Sequence, residues 1–266
     1  MHILVVGAGI AGAATAHALV RAGCSVEILE SADSVASEAS HANAGLVSPG
    51  HCFSWAEPGV VGVAVQSLLG RGDGIGICPP WDASFLQWSA LFAREASRER
   101  WLANSRAALV LAAYSRDLQM REASIPLEAY GGRHNGILYL YDDRHAPSSH
   151  DADLLSSSGE PFESLDAAQL LLCEPLLQAS NIRFQQAVFC PNDGTGDAAR
   201  YARAALDAAL VQGAQIHFSE TARKLITKGQ RVIGLETHRG NYQADGVVIA
   251  GGLASRQLAA SVGYSL

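Results

Sequence analysis

The chain has 266 residues, 48% of them apolar and 17% charged, with a formal net charge of −7 at pH 7. That composition is globular rather than disordered, with room for one large or two modest domains, and its acidic balance excludes nucleic acid as a main partner. Five scattered cysteines (Cys24, Cys52, Cys78, Cys173, Cys190) with no C-x-x-C pair argue for reduced thiols, against a disulfide scaffold or a metal site. Neither a signal segment nor a spanning run of ~18 apolar residues stands out, so the mature chain is expected to begin at or near Met1.

Ile3 to Val6 reads as a continuous apolar strand, buried on both faces as in a parallel sheet. Residues 10–22 read as a helix rich in alanine (Ala11, Ala13, Ala14, Ala16, Ala18), closed by Gly23 and followed by a second strand over 25–29. Between the first strand and the helix, Gly7, Gly9 and Gly12 make G-x-G-x-x-G. These glycines permit a tight turn, backbone approach to a pyrophosphate, and close packing of helix on strand. The phosphates would sit on the free N–H groups of the helix N-terminus. Glu30 ends the second strand 18 residues beyond Gly12, where a carboxylate accepts ribose hydroxyls and repels a 2′-phosphate. NADP is thereby excluded; NAD and FAD both remain.

Residues 40–50, SHANAGLVSPG, alternate small residues with hydrogen-bonding ones (Ser40, His41, Asn43, Ser48). Such a segment can lie flat on a planar ring, or it can be a polar loop. Residues 53–80 read as loop, with Pro58, the GRGDGIG run and Pro79-Pro80. Helical periodicity spans about 84–123, a strand follows at 136–141, and residues 145–161 read as a polar surface connection. A short helix over 165–172 ends before Pro175. PNDGTGD is a turn cluster leading to an Ala-rich helix over 198–211, ended by Gly213. Strands are expected at 214–218, 222–226 and 231–238, then the apolar GVVIA, a Gly-Gly pair and a final helix.

Asp193, Thr195 and Asp197 are expected to form turns and cap the following helix, with a contact to a substrate amine as the alternative. Arg133, beside Tyr139 and Tyr141, reads as a surface arginine, or as a clamp for a carboxylate. Trp55, Trp81, Trp88 and Trp101 are expected to pack.

Three stretches together carry a resemblance: MHILVVGAGIAGAATAHAL, SHANAGLVSPG with SWAEPGV, and PNDGTGD. AYSRDL, GVVIAGG and GYSL follow in the same order. The chain resembles the D-amino acid dehydrogenase small-subunit family, within the wider group of FAD-dependent D-amino acid and glycine oxidases, over essentially its whole length. The resemblance implies an α/β fold: a Rossmann-like FAD-binding domain interrupted by an incomplete α+β substrate domain. The expected organisation is 1–52 and 190–262 for the FAD-binding domain, 53–189 for the inserted substrate or cap domain, and 263–266 for the start of a further substrate-domain segment. The family continues well beyond the equivalent of GYSL, so the chain is expected to be truncated, a gene fragment or part of a split enzyme.

FAD is then the implied cofactor. Val6, Gly7, Gly9, Ile10, Ala11 and Gly12 would hold its ADP half, with Glu30 on the ribose and Ala222 near the adenine. Ser40, His41, Ala42, Asn43, Ala44 and Gly45 would line the flavin, with Ala250, Gly251 and Gly252 as a second backbone contact. The implied reaction is oxidative deamination of a D-amino acid to a 2-oxo acid and ammonia, with a hydride passing to flavin N5 and electrons to a quinone-type acceptor. The alternatives are D-hydroxyproline, glycine or another secondary amine as substrate, or a catalytically inactive flavin-binding fragment that needs a partner chain. No residue is assigned as catalytic. The implied location is cytoplasmic, extending to peripheral association on the inner face of the plasma membrane.

Overall fold

The computed structural model describes residues 1–71, 76–80, 82–142, 149–181 and 183–264, with residues 149–151 described in backbone only. Trp81, Ser265, Leu266, and parts of the GRGDGIG and 145–161 segments lie outside the described residues. The chain divides into two compact units: residues 1–46, 122–133 and 195–266 form the first, residues 47–121 and 134–194 the second. Residues 122–133, placed within the insert by the sequence reading, thus belong to the first unit.

The first unit is built on a parallel sheet. Its strand order is Gly246–Ile249, His2–Val6, Ser25–Leu29, Gln215–His217. Leu4 and Val5 are fully buried because both faces of the sheet are covered. On one face lie the helices Ile10–Arg21 and Ala198–Val211. Ala13 and Ala16 of the first meet Ala202, Ala205 and Ala209 of the second, all fully buried. Side chains this small let helix backbones approach closely, and a larger residue would overpack the contact. The other face is covered by an antiparallel sheet of Ala222–Lys228, Arg231–Thr237 and Asn241–Gln243. Its Leu225 and Leu235 pack against Leu4, Val6 and Leu29, joined by Leu258 of the final helix Ser255–Ala260.

Residues 122–130 are stitched to the glycine-loop helix. The Ser124 hydroxyl lies 3.1 Å from His17 Nε2 and donates to Glu122, which pairs with Arg21. Ile125 and Tyr130 enter the same core as the alanine helices.

The second unit carries the larger departures from the sequence reading. Residues 53–80, read as loop, contain a helix, Val60–Leu68; Pro58 precedes its N-terminal boundary, with Gly59 left-handed at the cap. The long helix is two, Ala83–Glu95 and Arg98–Arg121, separated at Ala96-Ser97. The polar segment 145–161 contains the helix Ser149–Ser158, whose Leu154 and Leu155 are buried. The strand Phe184–Cys190, absent from the sequence reading, is central in a sheet between Ile137–Asp142 and Glu163–Asp166. The helix expected at 165–172 is Ala167–Cys173, started by a capping box of Asp166 and Gln169. Of the tryptophans expected to pack, Trp101 is buried and its indole donates to Ser54 O at 3.0 Å, Trp88 stacks on Phe85 and Phe92 while 56% exposed, and Trp55 is 85% exposed.

The core of this unit gathers Leu109, Leu155 and Cys190 with Phe53, Tyr139, Phe162 and Val188. Among them sits Asp193, only 1% exposed. Its carboxylate accepts the Gly50 N–H at 3.0 Å and the Tyr139 hydroxyl at 2.7 Å. Burial raises the Asp193 pKa, with those two hydrogen bonds acting in the opposite sense. Burial also pushes the Cys190 thiol up to about 12 and raises Tyr139 well above the ordinary tyrosine range. Beside them Arg116 forks onto Glu160 at 2.6 and 3.1 Å, and also reaches Asp117.

Asp193→Ala is expected to cost about 2–4 kcal/mol of stability, because it strands two buried donors. Asp193→Asn should cost about 1 kcal/mol, since an amide oxygen still accepts one bond and the tyrosine hydroxyl can turn to accept another. Leu155→Ala should lose about 2–5 kcal/mol as a core truncation. Urea titrations of the three variants would measure these differences. A loss below about 1 kcal/mol for Leu155→Ala would mean that the helix carrying it does not dock.

Candidate functional site

The first site element is a crossing of backbones. Gly7 follows the first strand with φ +101, and a Cβ there would fall 2.5 Å from Ala250 O. At Gly12, one turn into the helix, a Cβ would fall 1.9 Å from Gly7 O. Any side chain at Gly12 must therefore lift the helix off the strand. Ala250 is held by its own N–H donating to Val6 O at 2.8 Å. Two segments far apart in sequence, Gly7–Gly12 and Ala250–Gly251, thus meet at the C-terminal ends of adjacent parallel strands. Ligands of open α/β sheets bind at that end. Ile10 and Ala11 are exposed at the start of the helix, and Gly9 caps it without a side-chain acceptor.

Glu30 is nearly buried at the end of the next strand. Its carboxylate accepts the N–H of Ala8 at 2.6 Å and of Ala32 at 2.8 Å, with the Ser31 hydroxyl at 3.2 Å. The side chain therefore braces the glycine loop. Three of roughly four carboxylate acceptor positions are used, which leaves one for a ligand hydroxyl. Glu220 lies in the connection between Gln215–His217 and Ala222–Lys228, its N–H donating to Glu30 O at 2.8 Å, just ahead of Ala222. The ribose and adenine candidates are thus neighbours. Glu220 itself was missed in the sequence. It is 1% exposed, lies 3.4 Å from Arg239 Nε, and its Oε1 has no hydrogen-bond partner among the described residues.

The second site element is the loop 40–45. Ser40 Oγ accepts the Ile10 N–H at 3.0 Å, tying the loop to the start of the glycine-loop helix. Asn43 Oδ1 accepts the Gly45 N–H at 2.8 Å in a local turn, and Gly45 O accepts the Gly196 N–H at 2.8 Å. Gly45 has φ +64 and its Cβ would fall 2.4 Å from Gly196 O, so only glycine fits. Between these fixed ends His41, Ala42, Asn43 and Ala44 are exposed. With Gly45, Gly131, Thr195, Gly196, Asp197 and Ala198 they line a cleft of about 330 Å³.

The cleft joins two of the sequence motifs and one segment that sequence reasoning missed. Arg133 exchanges backbone hydrogen bonds with Thr195 at 2.9 and 2.7 Å, and Asp197 N–H donates to Tyr130 O at 2.8 Å. The Gly131-Gly132 pair after Tyr130 was the available signal. Asp197 caps the helix Ala198–Val211 by accepting the Arg200 N–H at 2.9 Å, as expected. Asp193 does not join Thr195 and Asp197 at the cleft. It is the buried acceptor of the second unit, so neither its turn role nor its substrate role describes it fully. Gly252 opens a short 3-10 turn beyond the Ala250 contact.

The whole of this arrangement has relatives. Residues 2–266 match the family model described as FAD dependent oxidoreductase, DAO. The chain is 32% identical over 268 residues to a D-amino acid dehydrogenase of Cereibacter sphaeroides, covering 100% of this chain and 62% of the relative. It is 34% identical over 254 residues to that of Phenylobacterium zucineum, covering 94% of this chain and 59% of the relative. The chain therefore spans about three fifths of the length of these curated relatives. Among solved structures, glycine oxidase from Bacillus cereus matches with TM-score 0.60 at 24% identity, over 99% of this chain and 59% of that one. L-amino acid deaminase from Proteus vulgaris matches with TM-score 0.66 at 18% identity, over 99% and 56%. These likenesses establish the fold. With a family match running from the first strand through the final helix, the chain belongs to the DAO family of FAD dependent oxidoreductases.

Proposed function

We propose that this chain holds FAD for the oxidation of D-amino acids, as the FAD-binding portion of an enzyme of the D-amino acid dehydrogenase type. The observation that carries this reading is the convergence of the Gly7–Gly12 loop with Ala250, beside the exposed loop 40–45, in one unit. The residues present fit the cofactor. The loop has no side chain of its own at Gly7, Gly9 or Gly12, and the helix N-terminus behind it suits an anion, although Ser40 Oγ already holds the Ile10 N–H. Val6, Gly7, Gly9, Ile10, Ala11 and Gly12 would hold the diphosphate. Glu30 would accept a ribose hydroxyl with its remaining acceptor position, and Ala222 would border the adenine. Ser40, His41, Ala42, Asn43, Ala44 and Gly45 would meet the flavin ring, with Ala250, Gly251 and Gly252 closing the opposite backbone contact. Bound FAD supplies the hydride acceptor, N5, for the substrate Cα hydrogen. The chain's own residues bind, orient and exclude water; the imino acid product hydrolyses to a 2-oxo acid and ammonia.

The finer parts of the proposal are a quinone-type electron acceptor and peripheral association with the inner face of the plasma membrane, or with a partner chain. Support comes from the helix Val60–Leu68, which carries no charged residue and exposes Val61, Val63, Val65 and Leu68. An apolar helix that buries none of its own residues calls for a covering surface. Among the described residues no helix is long and apolar enough to cross a membrane, so the proposed association is peripheral.

The test is reconstitution of the purified chain with FAD, followed by visible absorption and flavin fluorescence. The native chain should retain flavin bands, and Gly12→Val should weaken FAD binding by about tenfold or more. Anaerobic D-alanine, then a panel of other D-amino acids, should bleach the bands. A well-folded chain that binds no flavin overturns the cofactor assignment, and bound flavin that no D-amino acid bleaches overturns the substrate assignment.

A further inference from the structure

The backbone brings one arginine to the edge of the cleft beside the loop 40–45. Arg133 N–H donates to Thr195 O at 2.9 Å, and Thr195 N–H donates back to Arg133 O at 2.7 Å. The two residues are therefore a directly opposed antiparallel pair, and such a pair sends both side chains out on one face. Thr195 lines the cleft, and so does Gly131, two residues before Arg133. The Arg133 side chain thus leaves the backbone on the face that carries Thr195. Its guanidinium is exposed and makes no hydrogen bond or ion pair among the described residues. The neighbouring Arg200 differs, because its guanidinium is spent on the carbonyls of Glu128 at 2.8 Å and Ala129 at 3.1 Å. Asp197 is the one carboxylate lining the cleft among the described residues. Its Oδ1 accepts the Arg200 N–H at 2.9 Å, while its Oδ2 has no hydrogen bond among the described residues.

We propose that Arg133 binds the carboxylate of an α-amino acid at this cleft, with Asp197 Oδ2 accepting from its amino group. This rests on the reading that the chain acts on D-amino acids, and it names the groups that hold the part those substrates share. A planar fork of N–H donors matches a carboxylate in shape as well as charge. The fork is available here because the main chain, not the guanidinium, fixes Arg133 to the fold. An α-amino acid near neutral pH carries one charge of each sign on neighbouring groups. The cleft edge offers one of each sign on residues tied together through Thr195: Arg133 pairs with it, and Asp197 lies two residues on. The rest of the lining is small or uncharged, with Ala42, Asn43, Ala44, Gly45, Gly196 and Ala198, so the two charged ends set the ligand's orientation and the substrate side chain meets little that would select against it.

The experiment measures binding without reaction. The probe is 2-methylalanine, which has no Cα hydrogen to give up. It is set against its amide, which lacks the carboxylate, and against 2-methylpropanoate, which lacks the amine. Titration calorimetry on the FAD-reconstituted chain gives the affinities for the native protein, Arg133→Gln, Arg133→Lys and Asp197→Asn, with a thermal melt of each. The native chain should prefer 2-methylalanine to both analogues. Arg133→Gln should lose about tenfold or more in affinity for 2-methylalanine and most of the preference over the amide, with Tm unchanged. Arg133→Lys should fall between, since an ammonium keeps the charge but not the fork. Asp197→Asn still caps its helix and should lose instead the preference over 2-methylpropanoate. Equal discrimination between amino acid and amide by the native chain and Arg133→Gln overturns the site. A native chain that holds FAD and binds none of the three probes overturns it too. Bleaching of the flavin by D-alanine is scored separately and decides the underlying reading, so the two fail independently.

Discussion

The contact on which the first unit depends is the one between Gly12 and the carbonyl of Gly7, with Ala250 pressed against the same turn. It sets how near the helix Ile10–Arg21 lies to the parallel sheet. From that distance follows the alanine face: Ala13 and Ala16 can meet Ala202, Ala205 and Ala209 only if both helices ride low on the strands. The same contact aims the helix N-terminus at the strand ends and brings Ala250 across from the far side of the first strand. A methyl group at position 12 would fall 1.9 Å from Gly7 O, so the helix could not keep its present approach to the strand. Close packing and the candidate binding surface are thus consequences of one missing side chain.

Much of this unit was legible because its signals are local and periodic. The first strand, the alanine helix, the second strand and the helix Ala198–Val211 all follow from short-range rules: an apolar run, a glycine punctuation, an aspartate cap. The second unit was less legible, for physical reasons. Val60–Leu68 is unbrokenly apolar up to Val65, so no polar face marks a helical period there, and Pro58-Gly59 in front of it mimics a loop. Leu154 and Leu155 sit in a polar stretch, where two adjacent leucines do not define a face. Phe184–Cys190 is central in its sheet, yet its run FQQAVFC does not alternate cleanly. Propensity is weak there and neighbouring strands decide.

The candidate site was legible in its motifs and illegible in its assembly. Sequence placed Ser40 on a loop and Ile10 on a helix, but not the hydrogen bond that ties them. It read PNDGTGD as a turn cluster that caps the following helix, whereas the structure gives the cap to Asp197 and other duties to its neighbours. Asp197 caps a helix, Gly196 docks onto Gly45, and Asp193 is buried as acceptor for Gly50 and Tyr139. A buried acid with two donors and a surface cap look alike in sequence, because both are aspartates beside glycine. Burial separates them, and it is set by segments distant in sequence, Gly50 and Tyr139 lying 143 and 54 residues before Asp193.

Charge divides the candidate cofactor surface into two ends with different physics. At Glu30 the carboxylate is already engaged with two backbone N–H groups, which would suit the proposed contact with a neutral ribose. At the loop 40–45 no fixed charge meets the cleft except Asp197, itself committed to a helix cap. On the proposed reading, the nucleotide end would select by exclusion, while the ring end would be built from backbone and small side chains. A redox cofactor needs that asymmetry: the part that anchors must not respond to electrons, and the part that reacts must sit where the surroundings can.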